Sequence, residues 1–482
     1  MHPGEYSLNN YNTTNRAEMT PEQQAAIARN VVLILAGGII LGIFATVANL
    51  YYVAAGIAAA MVIILIAWQF ESALLLYVLL AFIPWGETPE LAVGGSGVGK
   101  GVYVSEIMLG FLLAIWWGKY LFQALPGHRI KSGFHIPILL YVLYSILNVV
   151  HSFIFWDPNV SKIYQHPAVN ALELGLRILS AGAFIMLATS VTNRKWLKWI
   201  TAFILIPGLY NLFNGLISSK IPVASPWWPL VAILPVAYCW AIVLDSTSGW
   251  FKRLAAAVVA AAAIFVTFIS GTSWVSGWLG LIAALGTVTF FRSRKLFAVA
   301  LIIAIAVTAL SWSFVERNVI SASVEEGDYD RFALFAGALK YATTFPLGVG
   351  LGNYRTYNSF HYGEKWGTTA YTSAHGTYAQ HLSEMGIPGF MLFMSILICG
   401  FAWIRKNYYK IQSSSSRTFL LAAMGQMVGI ACAAAIGDYI IPTYHNGGIV
   451  TFSSTVYSWL IWGLAVAHVR ISRLEDGENI SN

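Results

Sequence analysis

Apolar runs of about twenty residues recur along the chain, separated by short polar joints, and this spacing predicts helices that cross a bilayer. Fourteen such segments can be drawn, near 30–48, 50–68, 70–86, 102–124, 135–156, 168–190, 199–217, 226–244, 254–270, 273–291, 296–314, 374–403, 418–436 and 450–468. The runs are continuous and do not alternate, which argues against a membrane β-barrel. The expected fold is therefore all-α and polytopic.

The polar joints test the count. Gly127 to Lys131, Asn193-Arg194-Lys195, Lys252-Arg253, Arg292 to Lys295, Arg405-Lys406 and the tail with Arg470 and Arg473 fall on every second joint. Cytoplasmic loops are enriched in Lys and Arg. Under this topology 19 of the 28 Lys and Arg are cytoplasmic, and both termini are cytoplasmic as well. Trp85, Trp156, Trp227, Trp228 and Trp312 then lie near the outer interface, where an aromatic belt belongs. The expected organisation is an N-terminal cytoplasmic segment (1–29), eleven helices (30–314), a large outer loop (315–373), three more helices (374–469) and a cytoplasmic tail (470–482).

Composition agrees. The 482 residues are 57 % apolar and only 10 % charged, against roughly 25 % charge in soluble domains. This excludes a soluble enzyme, a disordered protein and a coiled coil. The net charge of +7 follows the positive-inside pattern and does not point to nucleic acid. Cys239, Cys399 and Cys432 form no C-x-x-C pair and are expected to fill the core. Ser413 to Ser416 reads as a short flexible linker.

Groups able to react gather on the outer side. The 315–373 loop is too long for a simple connector, and loops of that size usually carry function. Within and after it come Asp328-Tyr329-Asp330-Arg331, Pro346-Leu347-Gly348-Val349-Gly350-Leu351-Gly352, Arg355, His375, Tyr378 and Glu384-Met385-Gly386-Ile387-Pro388-Gly389. Arg331 to Phe345 predicts a helix on the membrane surface, with Phe332, Phe335, Leu339, Ala342 and Thr343 on one face. Gly348, Gly350 and Gly352 read as a flexible turn, with a phosphate cradle as the functional alternative. Asp328 and Asp330 read as a solvated acidic loop, and no metal site is expected. Glu384 lies nine residues after His375, about half a turn out of phase on a continuous helix. It is expected to pack or to bond between helices, while His381 and Glu384, at i, i+3, can pair with each other.

The stretch Arg331…Phe335…Pro346-Leu347-Gly348-Val349-Gly350…His375…Tyr378…Glu384-Met385-Gly386-Ile387-Pro388-Gly389 resembles the signature of the O-antigen ligase and O-antigen polymerase superfamily. The resemblance covers about 60 residues and agrees with a many-span topology whose large outer loop precedes the histidine. It implies an inverting, metal-independent glycosyltransferase of the GT-C type, with no cofactor. Such an enzyme moves a glycan from a polyprenyl-diphosphate carrier to a glycan or lipid acceptor, at the outer face of a bacterial cytoplasmic membrane. By this resemblance His375 is the general base on the acceptor hydroxyl, Arg331 neutralises the carrier diphosphate, and Asp438, with His445 nearby, is the acidic residue close to the site. Imidazole suits a base working near neutral pH. An arginine fork suits charge gathering on a departing diphosphate.

Two positions depart from the family pattern. His375 is followed by Gly376 where the family has Asn, and Val275 stands where many members carry an arginine, judged from Trp278-Leu279-Gly280. Arg177, inside the sixth span and four residues after Glu173, is the natural substitute, with a structural Glu173–Arg177 pair as the competing reading. Arg355 is a further candidate for the diphosphate. The reading from another class is a transporter or flippase of an anionic or lipid-linked substrate, which would be expected to show internal repeats and broken helices near the midplane.

Overall fold

The computed structural model describes residues 70–80, 104–121, 132–161, 166–217, 228–268, 275–316, 328–362, 374, 376–441, 443 and 452–477. The helices expected at 30–48 and 50–68 lie outside them. Among the described residues the regular elements are α1 (Phe70–Leu80), α2 (Val104–Leu121), α3 (His135–Ile154), α4 (His166–Ser190), α5 (Arg194–Ile217), α6 (Trp228–Val243), α7 (Trp250–Phe268), α8 (Val275–Arg292), α9 (Arg294–Leu310), the single turn α10 (Trp312–Val315), α11 (Asp328–Thr344), α12 (Tyr354–Tyr362), α13 (Thr377–Glu384), α14 (Gly386–Tyr408), α15 (Ser414–Ala433) and α16 (Phe452–Glu475). Four of the described helices are long and apolar enough to cross a membrane: α3, α4, α14 and α15.

The distribution of polarity on α3 identifies the solvent. Its buried face carries Tyr141, Ser145, Asn148 and Ser152, spaced at helical period. Its exposed face carries Leu139, Leu140, Leu143, Ile146, Leu147 and Val150. A helix in water buries the opposite face. Helix α9 buries none of its residues, yet Leu301, Ile302, Ile303 and Ile305 are among them. Apolar surface of this extent fits hydrocarbon, and the chain is an integral membrane protein.

Packing inside the bundle relies on small residues, as expected where no hydrophobic drive separates helix from lipid. Gly425, Gly429 and Ala433 of α15 face Gly280, Ala284 and Val288 of α8; a Cβ at Gly429 would meet the Gly280 carbonyl oxygen at 2.5 Å. Gly463 of α16 is equally close to the Phe184 carbonyl of α4.

The basic joints come together at one end of the bundle. Arg194 pairs with Glu475 and donates to Ser413 Oγ at 2.8 Å, Arg473 donates to Asn407 Oδ1 at 2.6 Å, and Arg292 pairs with Asp245 at 2.9 Å. Two expectations are corrected here. Ser413 to Ser416 is not a linker: Ser414 opens α15, and Ser416 is buried, with Oγ 3.1 Å from His468 Nδ1 and bonded to Ser472 Oγ at 2.9 Å. Polar side chains and a helix start have turned a low-complexity run into structure. Cys399 lies exposed on α14, outside the core.

Candidate functional site

At the opposite end, the single helix expected over 374–403 is two. It breaks at Met385, and Gly386 adopts φ +65° at the start of α14. The break admits the glycine loop. Val349 N–H donates to the Ser383 carbonyl at 3.0 Å, Gly350 N–H to the Glu384 carbonyl at 2.9 Å, and Ile387 N–H to the Pro346 carbonyl at 3.0 Å. Leu351 N–H donates to Asn148 Oδ1 at 3.0 Å, and Asn148 Nδ2 returns to the Leu347 carbonyl at 3.1 Å and the Glu384 carbonyl at 3.2 Å.

This overturns both readings of the loop. Gly348, Gly350 and Gly352 do have left-handed φ (85°, 96° and 73°), which favours glycine. They are buried and clamped, however: a Cβ at Gly348 would lie 2.2 Å from the Glu384 carbonyl oxygen. The N–H groups that a phosphate cradle would need are already bonded to protein acceptors.

Beneath the loop lies a polar chain inside the bundle. Arg177 Nη1 bonds Glu173 Oε2 at 2.6 Å, and neither side chain is exposed. Arg177 Nε donates to Tyr141 Oη at 3.2 Å, and Tyr141 Oη lies 2.7 Å from His381 Nε2. His381 Nδ1 lies 2.5 Å from the Thr377 carbonyl. That carbonyl only accepts, so Nδ1 carries the proton and Nε2 accepts from Tyr141. Both ring nitrogens of His381 are thus engaged, and the expected His381–Glu384 pair does not form. Glu384 instead turns to the other side, where Oε1 accepts from Tyr354 N–H at 3.3 Å and Oε2 stands 4.0 Å from Arg177 Nη2.

The candidate residues divide as follows. His375 and His445 lie outside the described residues, as do the side chains of Arg331, Asp328 and Asp330. The neighbours of His375 are placed: Ala374 is buried in one cluster with Ala338, Tyr341, Val349, Tyr354 and Tyr357. Thr377 N–H lies 3.1 Å from both the Ala434 and Gly437 carbonyls; Thr377 Oγ1 donates to Gly437 O at 3.0 Å and accepts from Tyr439 N–H at 3.1 Å. Asp438, itself buried, therefore sits between two residues tied to Thr377, two positions from His375. Tyr439 Oη is 2.7 Å from Ser276 Oγ, one residue after Val275. Tyr378 is half-buried and anchors α13 to α15 through a 2.6 Å bond to the Ala431 carbonyl. Arg355, half-buried, follows the Tyr354 amide that caps Glu384.

Helix α11, which carries Arg331, runs over α13 with Ala338, Tyr341 and Ala342 buried beneath it. Phe335 and Leu339 are exposed, as a surface helix requires, but Ala342 belongs to the opposite, buried face and not to theirs. The residues that the motif reading missed are Tyr141, Asn148 and Asn170, whose side-chain amide donates to the Leu351 carbonyl. The available signal was the polar stripe Tyr141, Ser145, Asn148, Ser152 in an otherwise apolar span.

Fold and site together define a membrane protein whose described elements are helices, with a clamped glycine loop set into a broken helix. Residues 259–394 match the family model described as O-antigen ligase. The match supports the O-antigen ligase and polymerase superfamily and glycan transfer of that general kind. It includes Arg331, the glycine loop, His375 and Glu384, and ends before Asp438. No curated protein matches the chain.

Proposed function

We propose that this protein transfers a glycan from a polyprenyl-diphosphate carrier to a sugar or lipid acceptor, with inversion and with His375 as general base. The basic end of the bundle faces the cytoplasm of a bacterial inner membrane, both termini lie on that side, and the site opens to the exterior. The observation that carries the reading is the clamp of the glycine loop on Ser383, Glu384 and Ile387, which binds the two halves of the family motif into one unit beside Ala374 and Thr377.

In this reading His375 takes the proton of the acceptor hydroxyl as the glycosidic bond forms. Arg331, with Arg355, meets the charge that builds on the leaving diphosphate. Asp438, Tyr378 and His445 are the further residues that bind substrate in this reading. Arg177 holds the site from below: its guanidinium is buried against Glu173 and Tyr141, so the structural reading of the pair is favoured over direct contact with substrate. Bonds to protein groups, not a second phosphate contact, then explain its place in the bundle.

The test uses purified protein with a carrier-linked glycan donor, assayed in the presence of EDTA. The expected result is turnover by the wild type and loss of at least about a hundred-fold in His375→Ala, with an unchanged elution profile and melting temperature. Turnover at the wild-type rate by His375→Ala would refute the base assignment.

A further inference from the structure

The basic end of the bundle contains a cavity of about 310 Å³ where α8 meets α9 beside the end of α14. Arg292, Arg294 and Arg405 line it, together with Phe290, Phe291 and Tyr409. Asp245 pairs with Arg292 at 2.9 Å, and Arg292 Nε donates to the Leu244 carbonyl at 3.0 Å. Among the described residues, no carboxylate pairs with Arg294 or Arg405. Each rests on a ring instead: Arg294 over Phe290 at 5.6 Å and Arg405 over Phe291 at 6.0 Å. Stacking of this kind holds a guanidinium while leaving its N–H fork free for an anion.

The surface leading from the cavity is apolar on both sides. Leu301 and Ile305, seven and eleven residues after Arg294, continue its face of α9, and both are exposed. Ile398 and Met391, seven and fourteen residues before Arg405, continue its face of α14, at 62 % and 64 % exposure. A ligand that fits has a phosphate at one end and hydrocarbon at the other.

We infer that this cavity binds the phosphate headgroup of an anionic membrane phospholipid, held by Arg294 and Arg405, with its acyl chains along the apolar faces of α9 and α14. The assignment rests on the membrane placement and not on the glycan-transfer reading. Arg292 is committed to Asp245 and sets the cavity's back wall. Ser293, which caps α9 by accepting from Leu296 N–H at 3.2 Å, fixes the helix start at its rim. Headgroup charge and tail burial act together, so phosphate without a tail is a poor ligand.

The probe is tail-labelled phosphatidylglycerol, titrated against the full chain in a neutral detergent, with tail-labelled phosphatidylcholine as the reference. Wild type is expected to prefer phosphatidylglycerol. Arg294→Gln with Arg405→Gln is expected to weaken that binding about thirty-fold, at roughly a factor of five per surface arginine, and the corresponding pair of lysine variants to restore part of it. Each single Gln variant, at about five-fold, serves if the pair does not fold. Glycerol 3-phosphate at the same concentration is expected not to compete. Wild-type binding by a Gln variant with an unchanged melt would overturn the site; displacement of the lipid by glycerol 3-phosphate would overturn the lipid assignment in favour of a free phosphate.

Discussion

Arg177 Nη1 meets Glu173 Oε2 at 2.6 Å one turn apart on α4, and both side chains are sealed from solvent. The pair does not stand alone. Through Tyr141 it reaches His381, and through His381 the Thr377 carbonyl, two residues from His375. A charge inside a span persists when it is paired and hydrogen-bonded, and here the bonds run on to Thr377, the first residue of α13.

Removing one partner of such a pair strands the other. Arg177→Met is therefore expected to destabilise the protein by about 3–5 kcal/mol, read as an early melt in detergent. Adding Glu173→Leu should return part of the loss, because Glu384, 4.0 Å from the Arg177 guanidinium, is then the one carboxylate of this group left buried without its cation. An Arg177→Met protein that melts like wild type but no longer binds the carrier-linked donor would reverse the assignment and make Arg177 a direct substrate contact.

Gly348 provides a sharper test of the loop. Gly348→Ala places a Cβ 2.2 Å from the Glu384 carbonyl oxygen at φ +85°, so the clamp between the loop and the end of α13 must open. Gly477→Ala is the control, with φ +72° and nothing within 4 Å of a Cβ. The control should cost about 1–2 kcal/mol, the strain of a side chain at left-handed φ alone. Gly348→Ala should lose several times that and most of its turnover, as followed by melting and by transfer assay. Equal effects from the two substitutions would mean that the loop yields freely.

The helices were legible because lipid demands long apolar runs, and the helical expectations at 102–124, 135–156 and 168–190 sit within a few residues of α2, α3 and α4. The sequence position of Glu384 predicts packing or a bond between helices, and its bond to the Tyr354 amide bears that out. What the linear pattern hid is tertiary. Tyr141 and His381 are 240 residues apart, and no local periodicity links them. The break at Met385 was hidden because apolar content runs straight through it; only the glycine loop that enters there gives it a reason. The role of Asn148 was concealed in the same way, since its three partners lie on that loop and on α13.

The basic end of the bundle should respond to acid in a defined direction. Desolvation pushes the Asp245 carboxyl up, but bonds from Thr247 and Ser248 and the charge of Arg292 outweigh it, so the group is held below the ordinary aspartate range. Folded protein then binds this proton less readily than unfolded protein. The stability it contributes is complete above the unfolded value and fades as pH falls through the folded one. At pH 7 Asp245→Asn should cost about 1–3 kcal/mol, the usual range for losing hydrogen bonds to a charged group. Thermal melts of both proteins from pH 7 to pH 3 should show that gap held constant through the neutral range and closing below about pH 4. A gap that widened as pH fell would mean that the Asp245–Arg292 pair opposes folding.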